Sequence, residues 1–269
     1  MILSLKATIK GMEFEHELFI ARQAARRASE IALKIQLTGF DTESKSDESP
    51  VTIADRECER AIVSLISQHF PGDGFLGEEG AASETKTGRR WIIDPIDGTR
   101  DFVRGNPLWS HLIGLERDGQ VVAGVCFMPL LGHMYFAAKG LGAYRDDTRI
   151  RASAKTSPSE SVLCANQLGG WTKHPLGAGL LEWASTFWGV RSLGGCLDAM
   201  LVASGQAEVW IEPKLAPWDM AGPRIILEEA GAKFLNLDGG STIYSTNVCA
   251  FAPGLEPAVR KFLGVPVPA

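Results

Sequence analysis

Two aspartates stand three residues apart in a short motif, Asp94-Pro95-Ile96-Asp97-Gly98-Thr99, which directly follows the apolar run Trp91-Ile92-Ile93. The run predicts a buried strand, and the proline predicts a bend at its end. Carboxylates at a rigid strand end are suited to hold Mg²⁺, which prefers oxygen ligands. Because a pair of such ions can activate water and stabilise a leaving oxygen, the motif predicts a hydrolytic metal site. The alternative is that both aspartates only cap a turn.

The last two residues of the motif predict an anion-binding backbone. Gly98 allows the chain to pass close to a ligand. Thr99 supplies a hydroxyl and a main-chain N–H at the predicted start of a helix, where anions are favoured.

Two helices are predicted before the motif. Apolar and small residues recur every three or four positions from Phe14 to Ile35, which is typical of a long amphipathic helix, and Gly39 follows as its C-cap. A second helix begins near Val51, where Thr52 and Asp55 have the spacing of a capping box.

The other elements follow from similar patterns. The polar segment 41–50 predicts a surface loop, and a short strand at 75–76 leads into Gly77-Glu78-Glu79-Gly80. Asp118-Gly119 indicates a hairpin turn. Further strands are predicted at 111–115, 121–127, 134–138, 162–165 and 209–211.

The second half of the chain is less regular. A helix is predicted at 197–204, and another from Met220 to Ala230 directly after Asp219. The segment 171–188 fits neither helix nor strand clearly.

A serine-rich stretch at 152–161 divides the chain. Residues 1–151 are expected to form an N-terminal α+β half that carries most of the metal ligands. Residues 152–269 are expected to form a C-terminal α/β half that contributes Asp219 and substrate contacts. Since the stretch is not a long flexible linker, the two halves are expected to form one compact unit.

The composition argues against several classes of protein. The chain has 269 residues and a net charge of −5, with no dominant basic tract, which argues against a nucleic-acid or anionic membrane partner. Its most apolar stretch, 121–131, is too short to span a membrane, and the first residues lack the apolar run of a signal peptide. Five scattered cysteines without a C-x-x-C pair argue against a disulfide scaffold or zinc site and indicate a cytoplasmic location.

Four segments together resemble the inositol monophosphatase superfamily over residues 14 to 253, nearly the whole chain. They are Lys45 with Pro50-Val51-Thr52-Ile53-Ala54-Asp55, Gly77-Glu78-Glu79, Trp91 to Thr99, and Trp218-Asp219-Met220-Ala221-Gly222. The resemblance implies an α/β fold, a layered α-β-α-β-α sandwich, and a homodimer. It also implies Mg²⁺-dependent, lithium-sensitive hydrolysis of small phosphate monoesters, with two or three ions, Mn²⁺ as a substitute and Ca²⁺ as an inhibitor.

The resemblance also implies a role for each matching residue. Glu78, Asp94 and the Ile96 carbonyl would hold one metal, and Asp94, Asp97 and Asp219 a second, with a third, weaker ion near Glu78. Glu78 and Thr99 would orient the attacking water, and Asp55 would support Thr99 by a hydrogen bond. Substrate contacts are implied for Asp97, Gly98, Thr99, Cys196 and Glu212.

Most of these residues also have a simpler interpretation. Glu78 can be a solvated loop acid, Asp219 a helix N-cap, Asp55 only a capping-box acid and Glu212 a charge at the rim. Three of the five histidines, His111, His133 and His174, lack ligand spacing and are interpreted as structural or surface residues. Trp109 is either a core residue or part of the pocket mouth, and the cysteines are interpreted as core residues.

The sequence does not decide which phosphate ester is the substrate. Gly98-Thr99-Arg100-Asp101-Phe102 departs from the G-T-T-N-F run of inositol monophosphatases, and with Pro107-Leu108-Trp109 it is more similar to histidinol-phosphate phosphatases. Gly194-Gly195-Cys196, however, lacks the aspartate that such members tend to have. We therefore expect a small polyol or amino-alcohol phosphate, with inositol 1-phosphate and histidinol phosphate as candidates. A binding or regulatory protein with vestigial activity is a further alternative.

Overall fold

The long amphipathic helix is present and begins almost where the residue pattern predicts it. The computed structural model describes residues 13–44 and 50–267, so Lys45 lies outside the described residues. Helix α1, Glu15–Thr38, buries a stripe that includes Leu18, Ala25 and Ala32, and it ends at Gly39 with φ +85°. The predicted helix and its glycine C-cap are confirmed.

The segment predicted as a loop forms a small hairpin at its described ends. Strand β1, Thr42–Ser44, pairs antiparallel with β2, Pro50–Thr52. The loop prediction was wrong for these residues because main-chain pairing of a short ribbon needs no apolar pattern. The predicted capping box is confirmed, since Thr52 caps helix α2, Ile53–His69, with Asp55 as its third residue.

The remaining helices are short apart from one of 13 residues. They are α3 Thr99–Arg104, α4 Leu168–Trp171, α5 Gly177–Ala184, α6 Leu197–Ala203, α7 Pro217–Glu229 and α8 Glu256–Leu263. Helix α5 lies within the segment 171–188, where the sequence favoured neither helix nor strand, and α4 ends at the first residue of that segment.

The larger sheet has eight strands in the order β10-β9-β8-β7-β6-β5-β3-β4. Only β3 and β5 pair in parallel; the other neighbours are antiparallel. The predicted hairpin at Asp118-Gly119 is confirmed, because both residues have positive φ, as a tight two-residue turn requires. The strands are β3 Gly74–Gly77, β4 Ala82–Ser83, β5 Arg89–Asp97, β6 Ser110–Arg117, β7 Gln120–Met128, β8 His133–Ala138, β9 Gly142–Arg145 and β10 Thr148–Ile150.

The smaller sheet has five strands in the order β12-β11-β13-β15-β14. Strand β11 runs parallel to both of its neighbours, and β15 runs antiparallel to both of its own. The strands are β11 Val162–Ala165, β12 Gly189–Arg191, β13 Val209–Glu212, β14 Lys233–Leu235 and β15 Val248–Phe251.

Helices and sheets alternate in five layers. Helices α1 and α2 share a core with Ile93 and Ile113 on one face of the larger sheet. Helices α6 and α7 pack between the sheets against Ile92 from the other face. Helices α5 and α8 cover the outer face of the smaller sheet. The expected α-β-α-β-α arrangement is confirmed, and none of the described helices is both long and apolar enough to cross a membrane.

Helix α7 approaches the larger sheet closely because that sheet presents glycine to it. A Cβ at Gly114 on β6 would stand 2.6 Å from the Ala221 Cβ, far inside ordinary contact. This close approach brings the first turn of α7 to the end of β5.

We expect Gly114→Val to lower the free energy of unfolding by about 1–3 kcal/mol through overpacking against α7. Urea denaturation followed by circular dichroism measures the change. Gly179→Ala in α5 is the matched control, since a Cβ there meets nothing within 4 Å and alanine favours the helix. Equal stability of Gly114→Val and the wild type would contradict the close packing of α7.

Candidate active site

The two aspartates of the motif share one side of strand β5 because the strand is irregular. Asp94 pairs with Leu112 and Asp97 with Ser110, so three steps on β5 match two on β6, and the register shifts between them. In a regular strand, residues three apart point to opposite faces. Because a bulge adds one residue to the strand, Asp94 and Asp97 can point to the same face. Carboxylate oxygens of Asp94, Asp97 and Asp219 therefore lie within 4.8 Å of one another.

The bend at Pro95 is held from the neighbouring strand. Burial lowers the pKa of His111 to about 4, so its imidazole is neutral at physiological pH. Its Nδ1 is hydrogen bonded to the Pro95 carbonyl oxygen, which makes Nδ1–H the donor. The structural interpretation of His111 is supported, and this side chain contributes to the shape of the motif.

The protein holds Asp97 by hydrogen bonds to one of its two carboxylate oxygens. Its Oδ2 accepts the Ser110 hydroxyl at 3.0 Å and the main-chain N–H of Cys196 at 2.6 Å. Burial raises the pKa of Asp97 to about 6, although both hydrogen bonds act to lower it.

Asp219 comes from the C-terminal half of the chain, in the first turn of α7. The helix begins at Pro217, earlier than predicted, so Asp219 is its third residue and not its N-cap. Proline suits the first helical position because its missing N–H is not needed there. The Asp219 Oδ2 accepts the Ala216 N–H at 2.7 Å. Burial first, and then the charge of Asp97, raise its pKa to about 7.

Glu78 joins the aspartates from the loop after β3. Its main-chain N–H donates to the Ile93 carbonyl at 3.1 Å, which ties the loop to β5. Glu59 on α2 accepts the N–H groups of Glu79 and Ala81 at 2.9 and 2.8 Å. No local pattern in the sequence relates α2 to that loop, so this role of Glu59 was not predicted.

Asp94 lies at the centre of the acidic cluster. It is 2% exposed, and burial, followed by the charges of Glu78, Asp219 and Asp97, raises its pKa well above the usual range. Among the described residues, its Oδ1 has no hydrogen-bond partner although it is buried. Converging hard oxygen donors and a buried unpartnered carboxylate oxygen fit a divalent cation.

Thr99 and Asp55 form a hydrogen-bonded pair behind the cluster. The Thr99 hydroxyl lies 3.2 Å from the Asp55 Oδ1 and 3.0 Å from the Ile96 carbonyl oxygen. The other Asp55 oxygen accepts the N–H and hydroxyl of Thr52 at 2.8 and 2.7 Å. Asp55 is thus both the capping-box acid and the partner of Thr99, and burial raises its pKa.

A cavity of about 480 Å³ opens over these groups. Nine of the ten residues singled out in the sequence line it, and Asp55 lies behind Thr99. The nine are Glu78, Asp94, Ile96, Asp97, Gly98, Thr99, Cys196, Glu212 and Asp219. Trp109, whose place was left open, is fully buried in the core.

Glu212 on β13 contributes a further buried acid to the cavity lining. The Glu212 Oε2 accepts Asn166 Nδ2 and Trp210 Nε1, both at 3.2 Å. Burial raises the pKa of Glu212 to about 8. Asn166 was missed in the sequence, although a polar residue directly after strand β11 is a signal that could have revealed it.

Cys196 lines the cavity mainly through its backbone. Its N–H binds Asp97, while its Sγ lies 2.8 Å from the Sγ of Cys126. All five cysteines are buried and free, as their interpretation as core residues predicts.

Hard oxygen donors clustered at a strand end of a layered α/β scaffold are suited to bind divalent cations. A model of the inositol monophosphatase family matches residues 13–261. The chain belongs to this family, as the four motif segments predict.

Similar proteins include two kinds of phosphatase. A histidinol-phosphatase from Mycobacterium tuberculosis is 37% identical over 243 residues, 86% of this chain and 93% of its relative. An inositol-1-monophosphatase from Mesorhizobium japonicum is 35% identical over 226 residues, 81% and 84% of the two chains. The crystal structure of the extragenic suppressor protein SuhB from Bartonella henselae has a TM-score of 0.86 at 28% identity and covers 94% of this chain and 100% of its own. The chain is therefore a phosphoric monoester hydrolase.

Proposed function

We propose that this enzyme hydrolyses the phosphate monoester of a small amino alcohol, with histidinol phosphate as the first candidate. The observation that carries this choice is the buried Glu212 carboxyl, which lines the same cavity as the acidic cluster. Two donors occupy its Oε2, which leaves Oε1 for a substrate ammonium group. A charged partner compensates a buried carboxylate better than a neutral hydroxyl does. Similarity to a histidinol-phosphatase supports the same choice.

Inositol 1-phosphate is the second candidate. The amides of Asn166 and Gln167 line the cavity and can hydrogen bond the hydroxyls of a polyol. Similarity to an inositol-1-monophosphatase supports it. A polyol lacks the cation that Glu212 would pair with, so we place it second.

Five groups would hold two Mg²⁺ ions, and a third, weaker ion would lie near Glu78. Mn²⁺ would substitute, whereas Ca²⁺ and Li⁺ would inhibit. When bound, the ions neutralise phosphate charge, make water nucleophilic and stabilise the leaving oxygen. The ligands would be Glu78, Asp94, the carbonyl of Ile96, Asp97 and Asp219.

The protein's own groups would orient water and phosphate. A hydroxyl has one proton, so donation from Thr99 to Asp55 or to the Ile96 carbonyl leaves the Thr99 oxygen as an acceptor. That oxygen and the Glu78 carboxylate would accept the protons of the attacking water. The main-chain N–H groups of Gly98 and Thr99 would hold the phosphate, and Glu212 would orient the leaving alcohol.

A phosphate-release panel with Mg²⁺ tests the substrate. We expect kcat/KM to be highest for histidinol phosphate, then inositol 1-phosphate, with glycerol 2-phosphate and a 3′-phosphoadenosine nucleotide far lower. Equal, weak turnover of all four would contradict the proposal. The highest kcat/KM for inositol 1-phosphate would favour the second candidate. Negligible phosphate release from every compound, with or without Mg²⁺, would favour a binding protein.

Glu212→Gln is expected to lower kcat/KM for histidinol phosphate by about 10- to 100-fold, since a hydrogen bond to a charged group contributes about 1.5–3 kcal/mol. The loss for glycerol 2-phosphate, which has no amine, should be much smaller. Steady-state kinetics on both substrates measure the difference, with the exposed Glu160→Gln as control. An equal loss on both substrates would show that Glu212 does not recognise the amine.

We further propose a cytoplasmic homodimer in which residues 1–151 and 152–269 are halves of one compact unit. Packing of α7 from the second half against Leu112 and Cys126 of the first supports the compact unit. The five free cysteines support a reducing compartment. Light scattering after size exclusion would test the dimer.

A further inference from the structure

One wall of the cavity is a loop with an unusual backbone. It comprises residues 192–196, and its central glycines, Gly194 and Gly195, have φ +85° and +55°. Glycine adopts such angles readily, but it also has the greatest conformational freedom to lose. The loop therefore needs an anchor outside its own side chains.

Asp198 supplies that anchor from the first turn of α6. Its side chain is fully buried, and its Oδ2 accepts the main-chain N–H groups of Leu193 and Gly194, both at 3.1 Å. It also lies near the buried Cys164 thiol, whose pKa is raised by burial and then by the charge of Asp198. Asp198 is not among the residues that line the cavity, so any effect on the site passes through the loop.

The loop in turn touches Asp97 at two points. The Cys196 N–H donates to the Asp97 Oδ2 at 2.6 Å. A Cβ at Gly195 would stand 3.2 Å from the same oxygen and 3.2 Å from the Leu108 carbonyl oxygen. A displaced loop would lose the hydrogen bond or crowd the carboxylate.

We propose that Asp198 is a positioning residue: it anchors the loop 192–196 so that the Cys196 N–H holds Asp97 in the orientation that binds the cation. Ser110 acts on the same oxygen directly, through its hydroxyl at 3.0 Å. The inference rests on the proposed function of Asp97 as a metal ligand. Groups that orient a ligand typically change metal affinity by about 10- to 100-fold when removed.

Mn²⁺ binding followed by electron paramagnetic resonance tests the inference without a substrate. We expect Asp198→Ala to raise the Mn²⁺ dissociation constant about 10-fold, and Ser110→Ala to raise it by a similar factor. Asp198→Asn keeps an oxygen acceptor for both N–H groups and should stay within about 3-fold of the wild type. If Asp198→Ala does not fold, Asp198→Glu replaces it, because the displaced carboxylate should also weaken binding.

Asp73→Ala is the matched control, since Asp73 is a buried acid that binds Arg89 and Trp91 and is not a lining residue of the cavity. We expect this variant to lose stability but to bind Mn²⁺ as the wild type does. Wild-type affinity in Asp198→Ala, or equal weakening in the Asp73 and Asp198 variants, would overturn the inference. Equal weakening in Asp198→Asn and Asp198→Ala would also overturn it. Failure of the wild type itself to bind Mn²⁺ would instead refute the proposed metal site.

Discussion

Replacing Asp94 by Asn is expected to lower the rate of Mg²⁺-dependent phosphate release by at least about 10³-fold, equivalent to about 4 kcal/mol of transition-state stabilisation. Asp94 is the only residue proposed as a ligand of both principal ions. At 2% exposure it is also the most deeply buried of the clustered carboxylates. An amide keeps the shape of the side chain but removes the negative charge that neutralises the ions.

The same substitution should stabilise the metal-free protein. Burial and the charges of Glu78, Asp219 and Asp97 disfavour an ionised Asp94 in the folded chain, and a neutral amide avoids that cost at neutral pH. We expect a higher melting temperature than the wild type in EDTA, and a smaller increase on adding Mg²⁺. The lost activity would then come from the site and not from unfolding.

Malachite-green phosphate assays and thermal denaturation measure the two effects. Asp118→Asn is the control, because Asp118 lies in the distant β6–β7 hairpin with φ 51°, a conformation that asparagine tolerates. Its activity and Mg²⁺ response should match those of the wild type. Retention of more than about a tenth of the activity by Asp94→Asn would contradict its central place in the site.

The second large effect is a dependence of stability on pH that Mg²⁺ largely removes. In the unfolded chain an aspartate loses its proton near pH 4, by its reference pKa of about 3.9. In the folded, metal-free chain burial raises the pKa of Asp97 to about 6 and of Asp219 to about 7. Between these values the folded state binds more protons than the unfolded state, so the free energy of unfolding falls as pH rises.

Two further groups define where the fall is steepest. Burial holds the pKa of His111 near 4, below its unfolded value of about 6.5. This shift increases stability as pH rises through that interval and offsets part of the fall. Glu212 titrates at about 8 in the folded state and extends the fall upward. Stability in EDTA should therefore decline from about pH 5 to 8, most steeply below about pH 6.5, where Asp97, Asp219 and Glu212 all hold protons in the folded state.

Bound Mg²⁺ requires ionised carboxylates, so binding releases protons and strengthens with pH. At about 100 times its dissociation constant, each ion adds about 2.7 kcal/mol to the free energy of unfolding. Thermal denaturation from pH 5.5 to 8.5 should show a clear fall in melting temperature with pH in EDTA and a much smaller fall in saturating Mg²⁺, because the aspartates are then ionised in both the folded and the unfolded chain. A melting temperature in EDTA that rises above pH 6.5 would contradict the buried carboxylate cluster.

Local sequence patterns determined much of the fold. The stripe of α1, the capping box of α2 and the Asp118-Gly119 turn depend on neighbours within a few residues, and the structure confirms them. The start of α7 was misplaced because Trp218-Asp219 resembles a helix border, although Pro217 begins the helix. Loop 41–50 was misassigned at its ends because pairing of short exposed strands leaves no periodic pattern.

The sequence by itself also determined which acids carry the chemistry, since the spacing of Asp94 and Asp97 at the end of an apolar strand is a local property. Only the tertiary structure decided how Asp97 is held. Ser110, the Cys196 N–H and the Asp198 anchor come from separate elements, and two of these contacts use main-chain groups that every residue possesses. Their direction depends on the bulge in β5 and on the positive φ angles of Gly194 and Gly195. Hydrogen bonds of this kind are set by the packing of distant segments, and no residue type or spacing encodes them.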